Sequence, residues 1–275
     1  MKEIKIGNIS VSNNNEIILI AGPCQIENRE HSYQIAAELL DICRELEMNL
    51  IFKSSFDKAN RSSLYGRRGV GLHTGLSILN EIKTRLGVPV LTDIHEKEHA
   101  KLAVIYEIDV IQIPAFLCRQ TDLLIAAGES GLAINVKKGQ FLAPHDMKNV
   151  AEKIASTGNE RIMLCERGYT HGYNNLVVDM RSLPIMARTE YPIVFDATHS
   201  VQQPGGLGAS TGGDRGMVPY LARAATATGC LAAVFIECHD DPDNAPSDGP
   251  NMIHMKDMPK LLKDLKTIDD LVKSL

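Results

Sequence analysis

Asn49-Leu-Ile-Phe-Lys-Ser-Ser-Phe-Asp-Lys-Ala-Asn-Arg-Ser62 contains the unit from which the fold is read. Three consecutive apolar residues, Leu50 to Phe52, give way at Lys53 to a tip rich in charge and hydroxyl groups. A run without polar alternation suits a strand covered on both faces, as in a parallel sheet flanked by helices. The same change recurs along the chain. Residues 17–20 lead to Ala21-Gly-Pro-Cys24, 88–92 to Asp93 and His95, and 110–113, which include Gln112, to Pro114. Residues 132–136 lead to Lys137 and Lys138, and 162–165 to Glu166-Arg-Gly168. Residues 193–195 lead to Asp196, Thr198 and His199, and 233–236 to Glu237-Cys-His239.

Helical spacing fills the intervals. In 31–48 the residues Ile35, Ala36, Leu39, Leu40 and Cys43 form the apolar stripe of an amphipathic helix. Segments 75–86, 98–106, 122–130, 147–156, 183–188, 218–228 and 258–275 read similarly. Eight strands alternating with eight helices predict an α/β fold, one (β/α)8 TIM barrel formed by residues 1–275 as a single domain. No Pro/Gly/Ser-rich linker divides the chain. No Gly-x-Gly-x-x-Gly follows the first strand, which counts against a doubly wound open sheet. Residues 1–15, with Ile4, Ile6, Ile9 and Val11 before Asn13-Asn-Asn15, read as a short β-hairpin expected to cap the barrel bottom.

Bulk properties narrow the class. The net charge of −5, without a basic tail, counts against non-specific nucleic-acid binding. No apolar stretch approaches the roughly 18 residues of a membrane span, and no signal-type segment is present, so a cytoplasmic protein is expected. The six cysteines show no paired CxxC spacing and sit mostly in apolar contexts, which fits a reducing compartment better than a disulfide framework.

Strand C-termini of such a barrel converge on one face, where the active site lies. Lys53, Lys58, Arg61, Lys137 and Arg167 would meet there, with Asp93, His95, Gln112 and Asp196 completing the ring. Five cations call for an anionic substrate, because Arg forks and Lys point charges match phosphate and carboxylate oxygens. Cys24, His199 and Glu237 belong to the first, seventh and eighth strands, neighbours once the barrel closes, and Asp248 follows in Pro246-Ser-Asp-Gly-Pro250. A thiolate, an imidazole and two carboxylates suit Zn²⁺, Fe²⁺, Mn²⁺ or Co²⁺. The spacing equally admits a Cys24 that is simply buried and a His199 that acts as a base. Cys238 and His239 are rival ligands, although strand alternation turns Cys238 away from Glu237.

Other segments have plainer readings. The glycine-rich 204–215 stretch lacks a Walker lysine and reads as a flexible lid, and 168–173 as a second mobile loop. His145 and His171 read as surface residues, and Met252, Met255 and Met258 as packing.

Ala-Gly-Pro-Cys at 21–24, Phe-Lys-Ser-Ser-Phe-Asp-Lys-Ala-Asn-Arg-Ser at 52–62, Thr-Asp-Ile-His at 92–95 and Gln-Ile-Pro-Ala-Phe-Leu at 112–117 resemble the 3-deoxy-D-manno-octulosonate 8-phosphate synthase family. So do Asn-Val-Lys-Lys-Gly-Gln at 135–140, Cys-Glu-Arg-Gly at 165–168, Phe-Asp-Ala-Thr-His-Ser at 195–200 and Ser-Asp-Gly-Pro at 247–250. The match runs in order through nearly the whole chain. It implies a barrel enzyme, usually a homotetramer, that condenses phosphoenolpyruvate with arabinose 5-phosphate and releases phosphate, on the route to the lipopolysaccharide inner core.

The resemblance implies that Lys53, Lys58, Lys137 and Arg167 hold phosphoenolpyruvate. Ser55, Asn60, Arg61 and Ser62 would engage arabinose 5-phosphate, Asn60 at its hydroxyls and Arg61 and Ser62 at its phosphate. His95 and Gln112 match pocket positions, and Lys53, Lys58, Asn60, His199 and Asp248 are the expected catalytic residues. Family members with Cys at position 24 depend on a divalent metal, so Cys24, His199, Glu237 and Asp248 are the implied ligands. The sister activity on erythrose 4-phosphate usually carries Lys-Pro-Arg-Thr where this chain has Lys58-Ala-Asn-Arg-Ser62, which separates the two. A sugar-phosphate-binding barrel without turnover is the remaining alternative, and it is expected to have lost pocket groups that are all present here.

Overall fold

Eight apolar runs become eight parallel strands that close on themselves. The structure, a computed structural model, describes residues 1–61, 63–206 and 211–275. The barrel strands are β1 Ile18–Gly22, β2 Leu50–Lys53, β3 Val90–Asp93 and β4 Val110–Ile113, then β5 Ala133–Lys137, β6 Ile162–Glu166, β7 Ile193–Asp196 and β8 Ala233–His239. Each pairs with its sequence neighbour, and β8 pairs with both β7 and β1, which closes the barrel. The helices are α1 Arg29–Glu45, α2 Leu72–Leu86, α3 Lys97–Ile105, α4 Thr121–Glu129, α5 Met147–Ala155, α6 Ser182–Ala187, α7 Val218–Thr226 and α8 Met258–Lys273. Among the described residues no helix is long and apolar enough to cross a membrane.

Every residue of the eight strands is buried. This is the outcome of placing apolar runs between a filled barrel and a layer of helices. Alternate residues serve two cores. Ile18, Ile20, Ile51, Leu91, Val110, Met163, Val194 and Phe235 fill the barrel, while Leu19, Phe52, Val90, Ile111, Leu164 and Ile236 pack under the helices.

The hairpin, Ile4–Ile6 paired antiparallel with Ile9–Val11, contributes all four of its expected apolar residues to the barrel's inner core. Its anchors lie just before β6 and β7. Lys2 N–H reaches Glu190 O at 2.8 Å, Arg161 Nη2 reaches Lys5 O at 2.8 Å, and the Asn13 amide accepts from Ile193 N–H at 2.7 Å. The hairpin therefore stoppers the end opposite the strand tips.

Differences from the sequence reading are local. Helix α1 starts at Arg29, because the Asn28 side chain accepts from His31 N–H at 2.9 Å, and it stops before Glu47, which sits at φ 51. Helix α2 begins at Leu72. Strand β8 runs on to His239, so Glu237 is a strand residue. Two-residue antiparallel ribbons join Tyr169–Thr170 to Leu176–Val177 and Gln202–Gln203 to Gly212–Gly213. His145 and His171 are exposed, and Met252, Met255 and Met258 are buried. Of the expected lid, Leu207 to Ser210 lie outside the described residues.

At Gly22, the last residue of β1, the end of β2 leaves no room for a side chain. A Cβ there would run into the Lys53 carbonyl and the Phe52 ring. The Gly22→Ala variant is expected to lose about 1–3 kcal/mol of stability from overpacking, read as a lowered urea midpoint; an unchanged midpoint would mean the two strands can part without cost.

Candidate active site

At the strand C-termini a cavity of about 490 Å³ opens, and most of the expected residues line it. Lys53, Lys58, Asn60, Arg61, His95, Gln112, Lys137, Arg167, His199 and Asp248 all reach its wall. Ser55 does not. Its hydroxyl is fully buried and donates to Asp93, so it works beneath the surface. Ser62 lies outside the described residues.

The five cations are not bare. Lys53 at the end of β2 is buried against the Glu237 carboxylate and donates to Cys24 O at 3.1 Å. Lys137 at the end of β5 pairs with Asp196 and lies 3.3 Å over the Phe235 ring centroid. Arg61 is engaged by the loop after β8, donating to Ser247 Oγ at 2.7 Å and Pro246 O at 2.6 Å. Lys58 stands 3.9 Å from Glu237. Burial works against its charge, but Cys24, Glu237, Asp93 and Asp248 outweigh that and hold its pKa well above the ordinary value.

Arg167 is the least neutralised. It is buried, and burial pulls its pKa down. One terminal nitrogen donates to Gln202 Oε1, while Nη1 has no partner among the described residues. A shielded guanidinium with an unused donor is a ready site for an anion. Glu166 sets the turn that presents it, accepting from Arg167 N–H at 3.0 Å and Gly168 N–H at 2.7 Å.

Asp93 is held below the carboxylate range. Burial opposes this, but Lys53, Lys58 and the Ser55 hydroxyl overcome it. Gln112 donates to Asp93 and accepts from Asn135 Nδ2 at 2.8 Å, which fixes its amide. Burial lowers the His95 pKa against the pull of Asp93, so a neutral imidazole faces the cavity.

Cys24, Glu237 and Asp248 each bring a donor atom within 4.8 Å of the others. His199 Nε2 is 3.5 Å from Glu237 Oε2. Its Nδ1 faces Asp196 Oδ2 at 2.7 Å, the carboxylate–imidazole arrangement that leaves Nε2 available to an electrophile. Glu237 is ionised down to a pKa of about 2, since Lys53, His199 and Lys58 outweigh its burial. Burial and Glu237 push the Cys24 thiol well up, and its S–H donates to Asp248 Oδ2 at 3.1 Å. This donor set fits a borderline divalent ion, whose charge would replace the thiol proton. Cys238 faces the outer core, as alternation requires, and burial raises its pKa. His239 turns to Glu27, at 2.6 Å. Neither rival joins the cluster.

Gln202 is the residue sequence reasoning passed over. It accepts from Arg167 and donates to Asp248 Oδ1 at 3.0 Å, tying the buried guanidinium to the carboxylate beside Cys24. Its only sequence signal was its place just after His199, at the edge of the glycine-rich stretch.

A closed parallel barrel whose mouth gathers lysine and arginine side chains beside a thiol, imidazole and carboxylate cluster defines a barrel enzyme suited to anionic substrates. The profile of the DAHP synthetase I family matches residues 2–274, and the chain belongs to that family. It is 60% identical over 271 residues to the 2-dehydro-3-deoxyphosphooctonate aldolase of Granulibacter bethesdensis, covering 98% of this chain and 95% of that one. Similarity to the enzyme of the same name from Rhizobium meliloti is 59% over 268 residues, covering 98% and 95%. For that of Geotalea uraniireducens it is 56% over 273 residues, covering 99% and 100%.

Proposed function

We propose that the chain, as a single barrel domain, condenses phosphoenolpyruvate with D-arabinose 5-phosphate and water to give 3-deoxy-D-manno-octulosonate 8-phosphate and phosphate. The reaction belongs to the biosynthesis of the lipopolysaccharide inner core, and the enzyme works as a cytoplasmic homotetramer. The observation that carries this reading is the shielded Arg167 with its unused donor, in a cavity that Lys53, Lys58, Asn60 and Lys137 also line.

Arg167 and Lys137 bind the carboxylate and phosphate of phosphoenolpyruvate, with Lys53 and Lys58 beside them. Asn60, Arg61 and Ser62 receive the sugar phosphate, Asn60 at a hydroxyl and the other two at the phosphate; Arg61 then exchanges its loop partners for that phosphate. Ser55 supports the site through Asp93. Carbon C3 of phosphoenolpyruvate bonds to the aldehyde carbon, whose oxygen takes a proton, and water adds at C2 with loss of a proton. The resulting bisphosphorylated hemiketal expels phosphate and becomes the keto acid. Positive groups fixed where oxyanion charge develops lower this barrier, and holding two anions side by side removes the entropy of their encounter.

Cys24, His199, Glu237 and Asp248 would hold a divalent ion, which supplies Lewis acidity to an oxygen placed against it. His199 is kept in one orientation by Asp196, and Gln112 and His95 shape the wall where the aldehyde sits. The discriminating experiment offers phosphoenolpyruvate with either arabinose 5-phosphate or erythrose 4-phosphate and follows phosphate release. Turnover with the five-carbon sugar should exceed that with the four-carbon one by about 10²-fold or more, given the hydroxyl contact from Asn60. Preference for erythrose 4-phosphate would overturn the assignment.

A further inference from the structure

A second group of donors lies outside the cavity, where the end of β8 meets the turn between β1 and α1. Glu27, His31 and His239 each bring one donor atom within 4.8 Å of the others, and none of them lines the active-site cavity. His239 is buried and His31 half-buried, with their ring centroids 4.7 Å apart. A single carboxylate oxygen addresses both rings. Asp240 Oδ1 is 3.0 Å from His31 Nε2 and 3.0 Å from His239 Nδ1. That contact leaves one nitrogen on each imidazole uncommitted to Asp240. On His239 it is Nε2, which faces Glu27 Oε1 at 2.6 Å. On His31 it is Nδ1, shielded from solvent and without a hydrogen-bond partner among the described residues.

Packing alone leaves that shielded nitrogen unexplained, since buried polar atoms are nearly always paired. Two imidazoles beside one outer carboxylate, which holds His31 by a hydrogen bond and lies 3.0 Å from His239 Nδ1, with a third donor from Glu27, reproduce the chemistry of a two-histidine, one-carboxylate metal site. We propose that Glu27 Oε1, His31 Nδ1 and His239 Nε2 bind a second divalent cation of the zinc type, with Asp240 orienting both rings. Metal–donor bonds of about 2.0–2.1 Å place tetrahedral donors about 3.3 Å apart, so the Glu27–His239 pair opens slightly to admit the ion. The ring proton of His239 then resides on Nδ1, against Asp240, in place of the N–H that Asp241 now donates to that atom at 2.9 Å. The remaining coordination is completed by water.

The position gives the site a role. Glu27 follows Cys24 by three residues and His239 follows Glu237 by two. A cation here fastens the ends of β1 and β8 together immediately behind the active-site cluster.

The test is zinc content of the full-length protein, stripped by chelation, reloaded with zinc alone and freed of excess. His31→Ala should hold one zinc per chain fewer than its parent, in the wild-type background and again in a Cys24→Ser background, where the inner site is weakened. Glu27→Gln is the second variant, and thermal melting checks that both remain folded. Cobalt substitution separates the sites, because only the Cys24 site yields a thiolate charge-transfer band. His31→Ala should remove cobalt without touching that band. Equal zinc content in the His31→Ala variant and its parent would overturn the proposal.

Discussion

The Arg167→Ala variant is expected to lose about 10²–10³-fold in kcat/KM for phosphoenolpyruvate, the scale seen when one preorganised donor is removed from a developing oxyanion. The guanidinium is buried, its Nη1 has no partner among the described residues, and its other terminal nitrogen donates to Gln202. Its charge is therefore poised for a ligand. The loss should fall on both KM and kcat, since the same group meets bound and reacting anion. Arg167→Lys is the sharper comparison. It restores a charge but not the fork, and it should recover only part of the loss, because a lysine ammonium cannot make two parallel bonds. Steady-state kinetics decide this, and a variant with unchanged kcat/KM would remove Arg167 from the anion site.

Replacing Cys24 is expected to cost more. Cys24→Ala removes the sulfur donor that clusters with Glu237 and Asp248, and zinc affinity at this cluster should fall by more than about 100-fold, since even outer groups of metal sites are worth 10–100-fold. Activity at ordinary metal concentrations should fall with it. The sign of the pH dependence follows from the thiol. Burial and the Glu237 carboxylate raise its pKa, so the folded protein keeps Cys24 protonated and an ion must displace that proton. Metal retention should therefore weaken as pH falls, and the slope should be shallower in Cys24→Ala, which has no proton to displace. Zinc competition with a coloured chelator across pH measures both quantities. Equal affinity in the two proteins would place the ion elsewhere.

The barrel was legible because its strands are unalternated and its helices striped, and both signals follow from burial on two faces or one. Lys53, Lys137, His199 and Glu237 were legible for the same reason: each stands where an apolar run ends, and a barrel delivers those ends to one mouth. Relations set by side-chain geometry were not legible. Ser55 sits in the same tip as Lys58, yet its hydroxyl points to Asp93 rather than to the cavity. Lys53 and Lys137 read as free cations, whereas their carboxylate partners come from strands far along the chain. Glu27 and His239 are 212 residues apart, and no local pattern joins them. Gln202 escaped because a glutamine carries no charge signal, although it links Arg167 to Asp248. Helix ends moved by a few residues where a cap such as Asn28 outweighed the apolar stripe.

The most direct measurement is phosphate release from phosphoenolpyruvate and arabinose 5-phosphate, made on the protein as purified, after exhaustive chelation, and after zinc, manganese or iron is returned. Turnover is expected to disappear on chelation and to return with metal, in wild type but not in Cys24→Ala. Full turnover by the stripped protein would contradict the metal-holding role given to Cys24, His199, Glu237 and Asp248, and no phosphate release under any condition would contradict the condensation itself.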